Sequence, residues 1–386
     1  MKKRALYIGF NRKYVNKFLD LALSVISNCF DLTHYGPGFS RESEVILGIN
    51  NWITNQEEYD IIFIDPAIVI YENKIKKEEF IYQSKMNVLQ YSYDEFYDNV
   101  ESYKSFFFSS DKIKVIIGIY DYHVISKKTI NYIISSNSLV IDAFGKNLND
   151  SIENIKNKYG DSDFYKRNIL QDWHEFEQNF KERIISFPHA VFTNEFVFTP
   201  LNKRKIKYNV VGVLYPERKQ ATKLLSLKLR IKNFINLSIS YVKIKTGLNQ
   251  ITDEKLELYF HRYNNKIATS RYVYCSGSPL MYPVRKYFEI PSKRSVTIGW
   301  PCNGFEHLGF KHNKNFIVAK NNKELELAMS RHSEEELQRI ADEGLKLIWH
   351  KHSDYARTVQ MKKTFDLIFQ GKFKGSYWEN GNYILD

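Results

Sequence analysis

Residues Tyr272–Lys293 read YVYCSGSPLMYPVRKYFEIPSK, and their types and order suit a phosphorylated ligand. Tyr272–Cys275 predicts a buried strand, and Ser276, Gly277, Ser278 and Pro279 a small-residue loop. A short helix follows, with Arg285, Lys286 and Glu289 near its exposed turns. Orphan backbone N–H groups at a helix start, with the positive end of its dipole, attract an anion lying over such a loop. Arginine adds a planar fork matched to phosphate oxygens. Glu289 suits a different task, accepting hydrogen bonds from sugar hydroxyls. Together these residues predict a pocket for a nucleoside diphosphate. Its phosphates fall to Arg285, to Arg218 in the PERK loop, and to the backbone of Ser276, Gly277 and Ser278. Plainer readings stand beside these: Arg218 as a polar surface residue, Lys286 as a solvated neighbour, and Glu289 as half of an i,i+4 pair with Lys293.

Such a loop needs a parallel sheet behind it. Arg4–Phe10, Asp60–Asp65, Lys114–Tyr120 and Ser138–Asp142 are short, Ile- and Val-rich runs, each followed by a polar or Gly-containing segment. They predict buried parallel strands. Helices are expected between them, for example over Val15–Asn28 and Lys127–Ser135. This alternation predicts a doubly wound α/β sheet, whose ligands sit beyond the carboxyl ends of the strands. Asp65, Asp121, His123 and Asp142 occupy such ends. Asp150–Glu182 is polar and helical in pattern, and Pro188 and Pro200 punctuate a linker-like stretch. The alternation restarts at Tyr208, so a first domain is expected over residues 1–200 and a second over 201–355. Glu334–Trp349 and His352–Gln370 read as helices, and the aromatic tail Gly371–Asp386 as an extended strap. Lys219–Lys232 reads as a basic amphipathic helix, either packed on the core or resting on anionic headgroups.

The 386 residues suffice for two domains with separate cores. Lys and Arg exceed Asp and Glu by 12, a balance that attracts phosphates and polyanions. No nucleic-acid-binding module accompanies the charge, so nucleic acid is not expected as a partner. Cys29, Cys275 and Cys302 have neither disulfide nor zinc spacing and fit a reducing, cytoplasmic setting. No window approaches the run of ~18 apolar residues that a transmembrane helix needs. GxGxxG after the first strand, GxSxG and the P-loop are all absent. Asp161-Ser162-Asp163 has the letters of a metal-binding DxD but sits in a polar helical stretch, so no metal is expected.

The segment from Ser276 onward resembles the donor-binding half of GT-B glycosyltransferases, and most closely the CgeB-like / glycosyl transferases group 1 family. That pattern runs small-residue loop, Arg, Phe-Phe-Glu, small residue, Gly. Arg285, Phe288 and Glu289 match it, while Lys293 stands where the family usually carries Gly. Tyr208–Lys219 (YNVVGVLYPERK) resembles the first strand and loop of the donor domain, which places Gly212 with Arg218 at the donor. Gly304–Val318 resembles the loop and strand beyond the ribose-binding Glu, and His352–Phe365 the closing His-[Ser/Thr]-x-x-x-Arg helix. Tyr35–Phe39 (YGPGF) is similar to the N-terminal domain of these enzymes. The resemblance implies a GT-B fold of two Rossmann-like domains facing each other across a cleft. The closing helix and tail, residues 356–386, would pack back on the first domain. Retaining relatives often carry a second Glu eight positions before Glu289, where this chain has Met281, so retention and inversion both stay open.

On this resemblance the expected activity is metal-independent glycosyl transfer with no cofactor. A nucleotide-sugar is the donor, and a glycan or lipid-linked molecule of bacterial surface-polysaccharide synthesis is the acceptor. Peripheral contact with the inner face of a membrane would follow from a lipid-linked acceptor. The acceptor must lose a proton, and Asp121 with His123 in IYDYHVIS is the expected source of the base. His189 is a further candidate, because the interdomain linker of these enzymes often borders the donor. A strand-end Asp that caps the next helix explains Asp121 equally well. Gly36-Pro37-Gly38 permits a tight turn and, with Arg41 and Glu42, would lie on the acceptor side. Two alternatives remain: a sugar-nucleotide epimerase of the same fold, and a non-catalytic nucleotide- or glycan-binding protein.

Overall fold

A computed structural model describes residues 2–11, 17–54, 58–70, 93–119, 126–143, 167–212, 216–227, 229, 253–277 and 281–386. The chain divides into two compact units. The first comprises Met1–Pro188, Arg357–Trp378 and Tyr383–Asp386; the second comprises His189–Ala356 and Glu379–Asn382.

The first unit is built on six strands: β1 (Arg4–Ile8), β2 (Asp31–Tyr35), β3 (Ile61–Ile64), β4 (Ile113–Ile119), β5 (Leu139–Asp142) and β6 (Ile184–Ser186). They are parallel, in the order β2-β1-β3-β4-β5-β6. Ala5, Leu6, Tyr7 and Ile8 of β1 and all of β3 are buried, as strands covered on both faces require. The helix Phe18–Cys29 covers one face through Phe18, Leu21, Ala22 and Val25. Phe30, Phe63 and Phe365 form an edge-to-face cluster, with ring centroids 4.8 and 5.7 Å apart. The tail is a hairpin, not a strap: β11 (Ser376–Glu379) pairs with β12 (Asn382–Leu385) around Asn380 and Gly381, both at positive φ.

The second unit carries four strands: β7 (Ile206–Val210), β8 (Ser270–Cys275), β9 (Val296–Gly299) and β10 (Ile317–Val318). They are again parallel, ordered β10-β9-β8-β7. Tyr208, Val210, Tyr272, Tyr274, Val296 and Ile298 form its core with Leu337, Ile340 and Ala341 of the helix Glu334–Lys351. That helix is well specified. The Ser333 hydroxyl accepts from Glu336 N, the Glu336 carboxylate accepts from Ser333 N, and three glutamates fill its first turn. At Gly344 a Cβ would come 3.0 Å from Pro291 Cβ, so glycine lets this helix seat the short helix Lys286–Ser292 without a tight contact.

The basic amphipathic helix expected over Lys219–Lys232 is interrupted at Leu225 and Ser226 in its described part. The helix Pro216–Ala221 tightens to a 3-10 turn at Thr222–Leu224 and stops where Leu225 turns extended. Leu225 is buried in the core, and reaching it outweighs helical continuation.

Candidate functional site

The site elements gather at the carboxyl ends of β7 and β8 in the second unit. Gly212 lies two residues past β7, and Ser276 directly follows β8. Gly212 has φ +86, and a Cβ there would sit 2.5 Å from Lys286 Nζ and 3.7 Å from Arg218 NH1. Glycine therefore leaves room for the Lys286 ammonium over the strand end, beside the Arg218 guanidinium. Arg218 is fully buried, and its NH2 donates to the Ser276 carbonyl at 2.7 Å. Gly277 is buried within the same turn, and a Cβ there would come 3.0 Å from the Met281 backbone.

Lys286 is not the solvated neighbour that its sequence context suggests. Burial and the adjacent Arg218 guanidinium push its ammonium down to about 8, against an opposing pull from Glu289. The next residues, Tyr287 and Phe288, explain the burial. Tyr287 stacks on Phe316 at 5.8 Å and its hydroxyl donates to the Trp300 carbonyl, while Phe288 packs on His352 and Phe310. A helix gripped this way carries its neighbours inward.

The same grip buries Arg285 and Glu289, which the sequence places on exposed turns. Arg285 NH1 donates to Glu289 Oε1 at 2.5 Å and its NH2 to Glu195 Oε1 at 2.8 Å. Tyr263, on the helix Asp253–Ala268, donates its hydroxyl to Glu289 Oε2 at 2.9 Å. Lys293 is buried as well; its ammonium donates to the Glu195 carbonyl and lies 3.7 Å from Glu195 Oε2. Two carboxylates and two cations thus share one buried cluster. Glu289 pairs i,i+4 along the chain, but backward to Arg285 and not forward to Lys293. Arg285 turns both terminal nitrogens to carboxylates.

The remaining sequence-derived residues are distributed differently. Ser278 of the loop, and Asp121 and His123, lie outside the described residues, as does the Asp161-Ser162-Asp163 stretch. His189 is buried in the second unit, its ring 6.4 Å from Phe288. His352 is a packing residue: its Nε2 meets the Leu308 carbonyl at 2.8 Å and its ring lies 5.0 Å from Phe288. Asp65 caps the helix that follows it, with Oδ1 accepting from Ala67 N at 2.8 Å and Oδ2 from the Tyr7 hydroxyl. In the first unit Gly36, at φ +126, starts a turn after β2, and a Cβ there would overlap the Gly9 carbonyl. Asn11 holds the turn with its backbone N–H on Pro37 O and its side chain on Gly38 O. Glu42 stands exposed at the start of the next helix. Near the end of β5, burial and the Asp142 charge raise the Glu177 carboxyl well above its ordinary value.

The chain aligns over 96% of its length with a glycosyltransferase from Rickettsia africae ESF-5, covering 99% of that chain, at TM-score 0.50 and 10% identity. Together with two Rossmann-like parallel-sheet units, that likeness fixes the architecture. The chain has the GT-B fold. Anabaena HepE aligns over 94% of this chain and 99% of its own at 10% identity, with TM-score 0.47 for its complex with UDP and glucose and 0.41 for that with UDP-glucose. No family model matches the sequence, and no curated protein does. Among the described residues, no group of three or more His, Cys, Asp or Glu is arranged to hold a metal ion, and no helix is long and apolar enough to cross a membrane.

Of the residues that the sequence singles out for a donor, Gly212, Arg218, Ser276 and Gly277 lie together at the ends of β7 and β8, and Arg285 and Glu289 share the adjacent buried cluster. The sequence gives Lys286 no such place, and it does not single out Glu195 or Tyr263. The signal for Lys286 was its place beside Tyr287 and Phe288, since a helix start flanked by buried aromatics is not a solvated face.

Proposed function

We propose that this protein is a metal-independent glycosyltransferase that binds a nucleotide-sugar on its second unit. The observation that carries the reading is the convergence of Arg218 and Lys286 over Gly212, at the carboxyl ends of two parallel strands. Ligands of open α/β sheets bind at such ends. A half-buried ammonium held near a second cation is stabilised by an incoming anion, and a diphosphate brings the charge it lacks. Ser276 and Gly277 line the phosphates, and Glu289 accepts the ribose hydroxyls. Arg285 acts through Glu289, whose carboxylate it holds. A glycosyltransferase that shares the fold supports this class of reaction.

Transfer proceeds by attack of an acceptor hydroxyl oxygen on the anomeric carbon of the donor. The bond from that carbon to the β-phosphate oxygen breaks, and the diphosphate leaves with the electron pair. Its growing charge falls on Arg218 and Lys286. The acceptor proton passes to a base, for which Asp121, His123 and His189 are the candidates. Gly36, Gly38 and Glu42 are assigned to the acceptor side. The acceptor is a glycan or lipid-linked saccharide, as in bacterial surface-polysaccharide synthesis, handled on the cytoplasmic side.

Thermal shifts against UDP, GDP, CDP, dTDP and ADP test the donor site, with Glu289→Ala and Arg218→Ala in parallel. A ligand at ~100 times its dissociation constant stabilises by about 2.7 kcal/mol. Stabilisation by one nucleotide, lost in both variants, is expected. No shift with any of them refutes the assignment. Release of free sugar from the matching nucleotide-sugar then separates an enzyme from a binding protein.

A further inference from the structure

Glu289 is held more firmly than an acceptor of sugar hydroxyls needs for affinity alone. A glutamate carboxylate ends a side chain with three rotatable torsions, and its plane is normally free to turn. Here Arg285 NH1 fixes Oε1 and the Tyr263 hydroxyl fixes Oε2 at 2.9 Å. Arg285 is itself anchored by Glu195, which Lys293 holds in turn. Tyr263 is anchored by packing, its ring stacked on Tyr259 at 6.2 Å and 17°. Burial and the Glu289 charge push the Tyr263 phenol well above its ordinary value, so it stays a donor.

A carboxylate offers about four lone-pair sites, two on each oxygen. Arg285 and Tyr263 take one apiece, on different oxygens. One site stays open on each oxygen, in a plane that cannot rotate. Two acceptors at fixed separation are the complement of two neighbouring O–H donors. A vicinal diol satisfies both, whereas a single hydroxyl leaves one of them buried and unpaired, which is costly.

We propose that Tyr263 is a positioning residue that, with Arg285, locks the Glu289 carboxylate to recognise the 2′,3′-diol of a bound ribonucleotide and so selects it over a 2′-deoxyribonucleotide. The proposal rests on the donor-site reading above and adds a residue and a selectivity to it. Tyr263 touches no substrate; it acts through Glu289.

The test is calorimetric titration of the full chain with UDP, CDP, GDP and ADP and with their 2′-deoxy counterparts. Wild-type protein is expected to prefer the ribo form of its base by at least about tenfold, the order of one lost hydrogen bond to a charged group. Tyr263→Phe keeps the stacked ring and removes only the hydroxyl. It is expected to cut the preference several-fold by weakening the ribo form, with deoxy affinity unchanged. Glu289→Gln is expected to abolish the preference. If Tyr263→Phe does not fold, Glu195→Gln disturbs the same carboxylate from the Arg285 side and is expected to lower the ratio too. A merely structural Tyr263 would weaken both forms equally, so an unchanged ratio in folded Tyr263→Phe overturns the proposal. An unchanged ratio in Glu289→Gln, or no binding of any nucleotide to wild type, overturns the donor-site reading beneath it.

Discussion

Replacing Lys286 with Met should make the ligand-free protein more stable and the nucleotide bind more weakly. The lysine loses its proton near 8 in the folded chain, against 10.5 for an ordinary lysine, because burial and Arg218 disfavour its charge. Each pH unit of such a difference is worth 1.36 kcal/mol, so the ammonium costs the folded state about 3 kcal/mol at neutral pH. Between pH 8 and 10.5 the unfolded chain holds the proton and the folded chain does not. Stability therefore rises with pH across that window, and the penalty is complete below it. Lys286→Met should be the more stable protein at pH 7 by on the order of 2–3 kcal/mol, and the gap should close as pH approaches 10.5. A bound diphosphate reverses the balance. Wild-type affinity for the cognate nucleotide should be highest below pH 8 and fall above it, towards tenfold per pH unit, while the variant binds weakly and shows no such slope. Denaturant unfolding of both proteins from pH 7 to 10.5, with nucleotide titrations alongside, gives the required differences, in which other titrating groups cancel. A stability gap that does not change with pH, or nucleotide affinity unaffected by the substitution, would refute the argument.

Gly212→Ala should bind nucleotide at least tenfold more weakly while Arg218 stays in place, because the new Cβ displaces the Lys286 ammonium and carries a positive φ; isothermal titration of the folded variant checks this. Lys293→Met should destabilise the chain by about 3–5 kcal/mol, since it leaves Glu195 and Glu289 to share Arg285 in a buried site. Adding Glu195→Gln should recover much of that loss in denaturant melts, and a double variant no more stable than Lys293→Met would disprove the charge-balance account.

Much of the scaffold is legible in the sequence, for a physical reason. Strands buried on both faces, such as Ala5–Ile8 and Ile61–Ile64, leave unbroken apolar runs that no polar face interrupts. β2 carries the run DLTHY, with exposed Asp31 at its start, because an edge strand needs no such continuity, and it escapes the same reading. The tail hairpin is announced by Asn380-Gly381, the pair that best tolerates two successive positive φ values, yet its aromatic flanks suggest a strap. Arg285 and Glu289 are legible as candidates because they lie close in sequence around one helix start after a small-residue loop, although their pairing with each other is not. Their partners are not, because Glu195 and Tyr263 stand 90 and 26 residues away and meet them only through tertiary packing.

The distribution of charge between the two neighbouring clusters argues for their division of labour. Around Arg285, two cations face two carboxylates, and every charge has an opposite within reach. Such a group has no net need of an anion; what it retains is hydrogen-bonding capacity on Glu289, which suits hydroxyls. Around Lys286, burial and then the Arg218 cation outweigh the pull of Glu289, and the lysine holds its proton less firmly. Charge that is costly in the free protein is charge that a ligand can relieve, so binding energy is concentrated where the folded state carries the penalty. Lys293 completes the arrangement. It lies 3.7 Å from Glu195 Oε2 and offsets that carboxylate, so Glu195 does not leave the cluster with a surplus negative charge.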